Sequence, residues 1–173
     1  VSLVTSQQRA AFERAAERWK KVIIGDVTDI TASRASFCGV KNSALNQVVD
    51  DLVIFVELVP IDGPGQVLGS AGPCTVRSGN GIPIVGAMRF DVDDVASMEA
   101  SGRFDDVVLH EIGHILGLGT LWQYHGLLVN PGSDDPYYLG ESGRAGFLTA
   151  GGSLYTGLHV PVENTGEPGT RDG

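Results

Sequence analysis

His110-Glu111-Ile112-Gly113-His114 is the stretch on which the reading of this chain turns, and it lies inside the apolar run 107–118. In a helix, residues four apart sit one turn apart and share a face, so His110 and His114 would project side by side. Two imidazoles placed in this way can both reach one zinc ion at about 2.0–2.1 Å. Glu111 would lie about 100° round the helix from His110, close enough to address a water on that ion. The pattern H-E-x-x-H therefore predicts a metal site with a general base beside it: a zinc hydrolase, and a peptidase first among them. The competing explanation is a buried helix with core-satisfied histidines. It requires two His and one Glu to fall in the required order by accident inside one apolar run.

Working outward, Asp105 and Asp106 suit the positive N-terminal end of the motif helix, and Gly117 and Gly119 mark its end. Residues 91–102 read as a short helix plus a turn. Residues 66–77 and 82–90 read as two strands joined by the turn Ser78-Gly79-Asn80-Gly81. Residues 52–58 form a buried strand candidate, with Val53, Ile54, Phe55 and Val56 all β-favouring. The glycines between Gly63 and Gly72 lack the spacing of a phosphate cradle and read as turn and bulge positions. Residues 26–50 are polar and mixed, with one strand expected near 27–31. Residues 5–24 read as an amphipathic helix whose face is Phe12, Ala15, Ala16, Trp19, Val22 and Ile23. Thr5 with Gln8 makes a capping box, and Gly25 the stop. From 126 to 173 the chain is rich in Gly, Pro and Ser, which predicts a loop-dominated second subdomain. The domain expectation is 1–119 for the part holding the motif helix and 120–173 for the start of the second.

The 173 residues suit a sizeable core, and 24 glycines argue for many turns rather than a helix bundle. A net charge of -9 excludes nucleic acid as a partner, because neutralising phosphates needs a basic surface. No apolar run approaches the ~20 residues of a transmembrane helix. The chain opens Val1-Ser2-Leu3 without a signal peptide, as expected of a mature or trimmed product or a cytosolic one. Cys38 and Cys74 could close a disulfide, which would favour an oxidising compartment; the alternative is two unrelated thiols. No N-x-S/T acceptor occurs.

A catalytic zinc commonly takes three protein ligands and keeps a fourth position for water. The compact H-E-x-x-H-x-x-G-x-x-H pattern would place its third His at 120, where the chain has Thr120. The remaining histidines are His125, beside Tyr124 and read as structural, and His159. Carboxylate candidates are Asp134, Asp135 and Glu141.

Several segments together resemble the leishmanolysin family of metzincin-type zinc metallopeptidases, in its bacterial branch. They are Ala10-Ala11-Phe12-Glu13-Arg14-Ala15-Ala16-Glu17-Arg18-Trp19, Gly69-Ser70-Ala71-Gly72-Pro73-Cys74, and Pro83-Ile84-Val85-Gly86-Ala87-Met88-Arg89-Phe90-Asp91. The motif helix continues as Ile115-Leu116-Gly117, followed by Gly119-Thr120-Leu121-Trp122 and by Val160-Pro161-Val162-Glu163-Asn164-Thr165-Gly166. The motif alone is shared by many families; its combination with Gly-Thr-Leu-Trp and the late Val-Pro-Val-Glu-Asn segment is far more specific.

The resemblance implies an α+β, metzincin-like zincin: a twisted mixed sheet with an N-terminal helix and an active-site helix, followed by a loop-rich C-terminal subdomain that looks truncated. It implies Zn2+ held by His110 and His114, with Glu111 catalytic. The third zinc histidine would come just beyond Gly173, with His159 as the fallback inside the chain. The floor methionine of such sites follows that histidine, so Met88 and Met98 do not fit the role. A strand before the first helix is expected in the family, which makes the N-terminus look trimmed as well. A second polypeptide could carry the C-terminal remainder, since residues 169–173 are of the kind that is nicked. The strand at 66–77 would be the sheet edge that binds extended protein or peptide substrates. Secretion or display at the cell surface follows from the same resemblance. A structural Ca2+ at Asp91, Asp93 and Asp94 competes with a plain acidic helix start. Trp122 is expected to pack as core beneath the site. Two rivals stand beside this reading: a zinc peptidase with an acidic third ligand, and a non-catalytic secreted metal-binding module.

Overall fold

The first helix begins where its capping box says it should. In the computed structural model, which describes residues 4–133, 136–152 and 159–162, Thr5 caps α1 (Ser6–Lys20). The Gln8 amide donates to Thr5 Oγ1 at 3.2 Å, and the Thr5 amide to Gln8 Oε1 at 2.9 Å. The C-terminal boundary differs from expectation. The helix stops at Lys20 rather than near Gly25, and the β-branched run beyond it is exposed, Val22 at 67% and Ile24 at 90%. Such residues are weak helix formers, and without a surface to cover they do not extend the helix.

Residues 26–50, read as holding one strand, hold a hairpin instead: β1 (Ile30–Arg34) antiparallel to β2 (Leu45–Val49). Its loop of ten residues is tied down by Ser43, whose buried hydroxyl accepts from the Phe37 amide and donates to the chain at Phe37 and Val40. That loop carries Cys38, which is bonded to Cys74 with a Cα–Cα distance of 5.4 Å.

The central sheet is mixed, in the order β3 (Val53–Val59), β5 (Pro83–Asp91), β4 (Gly69–Val76). β3 runs parallel to β5, and β4 antiparallel. β4 is thus an edge strand, which accommodates Pro73 next to a register shift. Alternation along β5 serves two cores. Met88 and Phe90 face α1 and the motif helix, while Val85 faces the hairpin with Phe37 and Val49. Buried Arg77 ties the hairpin's ends to the sheet by donating to four carbonyls, those of Thr28, Asp50, Asp51 and Pro83.

Asp91 and Asp94 serve the backbone. Asp91 caps α2 (Val92–Ala100) through the Asp93 amide, and its Oδ2 accepts from the amides of Ile61, Asp62 and Gly63 at 2.9–3.1 Å. These donors, that of Asp93 first, hold the Asp91 carboxyl below the usual carboxylate range. Asp94 takes the Gly65 amide at 2.7 Å. Two buried carboxylates thereby fix the loop that leads into edge strand β4.

The chain divides into two compact units between Thr120 and Leu121. The second unit contains a small sheet of β6 (Leu128–Val129), β7 (Tyr137–Tyr138) and β8 (Val160–Pro161), with α4 (Glu141–Thr149). Among the described residues, no helix is long and apolar enough to cross a membrane.

Candidate metal centre

The motif lies on α3 (Phe104–Leu116). Asp105 and Asp106 occupy its first turn, and Asp105 holds Arg14 of α1 in a two-pronged pair at 2.7 and 2.8 Å. The other end closes on Gly117 at φ 107°, with the Leu118 amide reaching the Gly113 carbonyl and the Gly117 amide that of His114. Only glycine takes that backbone conformation without strain. Gly119, at φ 79°, bends the chain once more.

This double turn sets the histidines. The Leu118 carbonyl comes back to 2.8 Å from His114 Nδ1, an acceptor that favours the tautomer with its proton on Nδ1 and Nε2 free to bind a metal. Thr120 Oγ1 donates to the His114 carbonyl and fastens the turn from the other side. His114 Nε2 then stands 2.9 Å from His110 Nε2, with the rings edge to face at 4.5 Å between centroids. Two nitrogens on one tetrahedral zinc lie about 3.3 Å apart for bonds of 2.0–2.1 Å, so a small ring movement admits the ion between them. His110 is exposed and His114 half-buried, which leaves the pair open to solvent.

Glu111 behaves differently. It is 6% exposed, and its Oε2 is buried without a hydrogen-bond partner. Burial lifts its pKa above the usual carboxylate value, and the two histidines pull it down by less. A native protein seldom leaves a buried carboxylate oxygen unmatched. A cation at the paired imidazoles, with a water on it, would give that oxygen a partner, so these residues fit zinc.

The other candidates are placed as follows. In the first unit His110 and His114 are the only histidines. His159, in the second unit, stacks face to face on Tyr137 at 4.2 Å, and His125 meets the Tyr124 ring edge-on. Trp122 packs on Tyr138 within that same unit at 4.6 Å. Glu141 is the exposed first residue of α4. Asp134, Asp135 and residues 163–173 lie outside the described residues. Met88 and Met98 are core residues. Among the described residues, the three acidic groups able to share a cation are Asp26, Asp50 and Asp51, all exposed; the set at 91–94 is not among them. Sequence reading missed the Leu118 carbonyl and the Thr120 hydroxyl. The pair of glycines around Leu118 was the available signal that the chain doubles back there.

The sequence model of the leishmanolysin peptidases matches residues 14–128, which take in α1 from Arg14 onward, the whole central sheet and α3 with its terminal turn. A match over that span, on a mixed sheet backed by a helix that brings two imidazoles together, shows that the chain belongs to the leishmanolysin family of zinc metallopeptidases.

Proposed function

We propose that this protein is a zinc-dependent endopeptidase in which His110 and His114 hold the metal and Glu111 is the general base. The observation that carries this reading is the meeting of the two Nε2 atoms beside Glu111, whose buried Oε2 has no hydrogen-bond partner. Zinc bound there would supply Lewis acidity, making its water acidic near neutral pH and polarising the scissile carbonyl. Glu111 takes the proton of the attacking water and returns it to the leaving amine, so that water and amide become acid and amine. His114 is kept in the metal-binding tautomer by Leu118. The free edge of β4 would receive an extended substrate segment as an added strand, which suits unfolded or flexible regions of protein substrates.

The Cys38–Cys74 bond supports work in an oxidising compartment, outside the cell or at its surface. Residues 1–119 are read as the part that carries the metal helix, and 120–173 as a loop-rich subdomain. The test is cleavage of an unfolded protein such as casein. A zinc chelator removes activity, and added zinc restores it. Cleavage that persists after the metal has been stripped contradicts the reading.

A further inference from the structure

Trp19 does more than cover apolar surface. Its indole Nε1 donates to the Leu109 carbonyl at 3.0 Å. Its six-membered ring lies over Gly113, where an added Cβ would stand 3.2 Å from Cζ2. Leu109 directly precedes His110, and Gly113 directly precedes His114. One side chain of α1 therefore grips α3 at both turns that bear the proposed ligands. The Leu109 carbonyl lies inside α3, where the Gly113 amide already serves it in the helical pattern. The indole bond is an addition that the helix itself does not need.

Apart from the exposed two-pronged Arg14–Asp105 pair in the first turn of α3, away from the histidines, the rest of the contact between α1 and α3 is apolar. Ala11 and Ala15 lie in a shared apolar cluster with Val108 and Ile112, and Phe12 meets Phe104 edge-on at 5.8 Å. Such contacts press the helices together but are non-directional, and they resist rotation of α3 about its own axis only weakly. Rotation is what a metal site cannot absorb. A ligand atom about 5–6 Å from a helix axis moves about 1 Å for a 10° roll. Metal–ligand distances tolerate only about 0.2 Å. A directional bond at Leu109, with a ring seated in the gap at Gly113, opposes both roll and sliding.

We propose that Trp19 is a positioning residue of the metal centre, holding α3 in the orientation at which His110 and His114 converge; this rests on the zinc-peptidase reading above. The test compares Trp19→Phe with Phe12→Leu in the whole protein. The first keeps an aromatic ring over Gly113 but removes the N–H. The second loosens the same pair of helices two turns away. Zinc affinity is measured by chelator competition, geometry by the visible spectrum of the cobalt(II)-loaded protein, and stability by the Tm of the zinc-free form. Trp19→Phe is expected to weaken zinc binding by about 10-fold and to alter the cobalt spectrum. Phe12→Leu is expected to lower Tm while leaving zinc affinity and spectrum as in the wild type. Wild-type affinity and spectrum in Trp19→Phe, or an equal loss of affinity in Phe12→Leu, overturns the proposal. A wild-type protein that binds no zinc overturns the metal-centre reading itself, a result distinct from either.

Discussion

Glu111→Gln is expected to lower kcat/KM by about 10²–10⁴-fold while leaving zinc bound. The amide keeps the size and shape of the carboxylate but cannot take a proton from the attacking water. Glu111 is not one of the proposed ligands, so metal content should be unaffected. Stability moves the other way from activity. Glu111 is 6% exposed with an unmatched buried oxygen, and a buried charge costs more than a buried amide. The zinc-free variant should therefore melt no lower than the wild type, as expected where a catalytic group is held at the expense of the fold. Turnover of a fluorogenic peptide, zinc per molecule and Tm together check this. Activity near that of the wild type would remove Glu111 from the chemistry.

Gly86→Ala is expected to have the largest effect on stability. Gly86 lies in the middle of β5, and a Cβ there would stand 2.3 Å from Ile115 Cγ2 and 3.1 Å from the Gly72 carbonyl. Neither atom can retreat easily: Ile115 is fully buried and branched at Cβ, and Gly72 is backbone of the paired strand. Two terms oppose each other. Alanine restricts the unfolded chain, worth about 0.4–1 kcal/mol in favour of folding. Overpacking costs about 1–3 kcal/mol, and contacts this short place it at the upper end. The net loss is about 2 kcal/mol, or a Tm lower by about 4–8 °C for a chain of this size. Because the displaced residue adjoins His114, zinc affinity should fall as well. A Tm equal to that of the wild type would mean that β5 and α3 pack less closely than described.

Much of this was legible in the chain. The capping box at Thr5 and Gln8, the β-favouring run at 53–56 and the glycine at 117 are local devices that the structure uses, although residues 53–56 are half-buried rather than buried. What could not be read depended on partners far away in sequence. Nothing local says that Val22 and Ile23 find no surface to cover, so the first helix was drawn too long. The hairpin of β1 and β2 was hidden in a polar stretch because its buried residues, Ala32 and Val49, are few and face a core supplied by the sheet. Asp91, Asp93 and Asp94 open a helix, as the acidic-start reading has it; that Asp91 and Asp94 also accept from amides about thirty residues earlier had no local signal. At the site, the order of His, Glu and His is what carries the proposed chemistry. The devices that aim the rings, the Leu118 carbonyl and the Trp19 indole, depend on chain reversal and helix packing rather than on a motif.

The most direct measurement is the zinc content of protein purified without chelators, wild type beside the double variant His110→Ala/His114→Ala. The account predicts about one zinc per molecule in the wild type and none in the variant, with both folded. A wild type without zinc, or a variant that keeps the full complement, would contradict it.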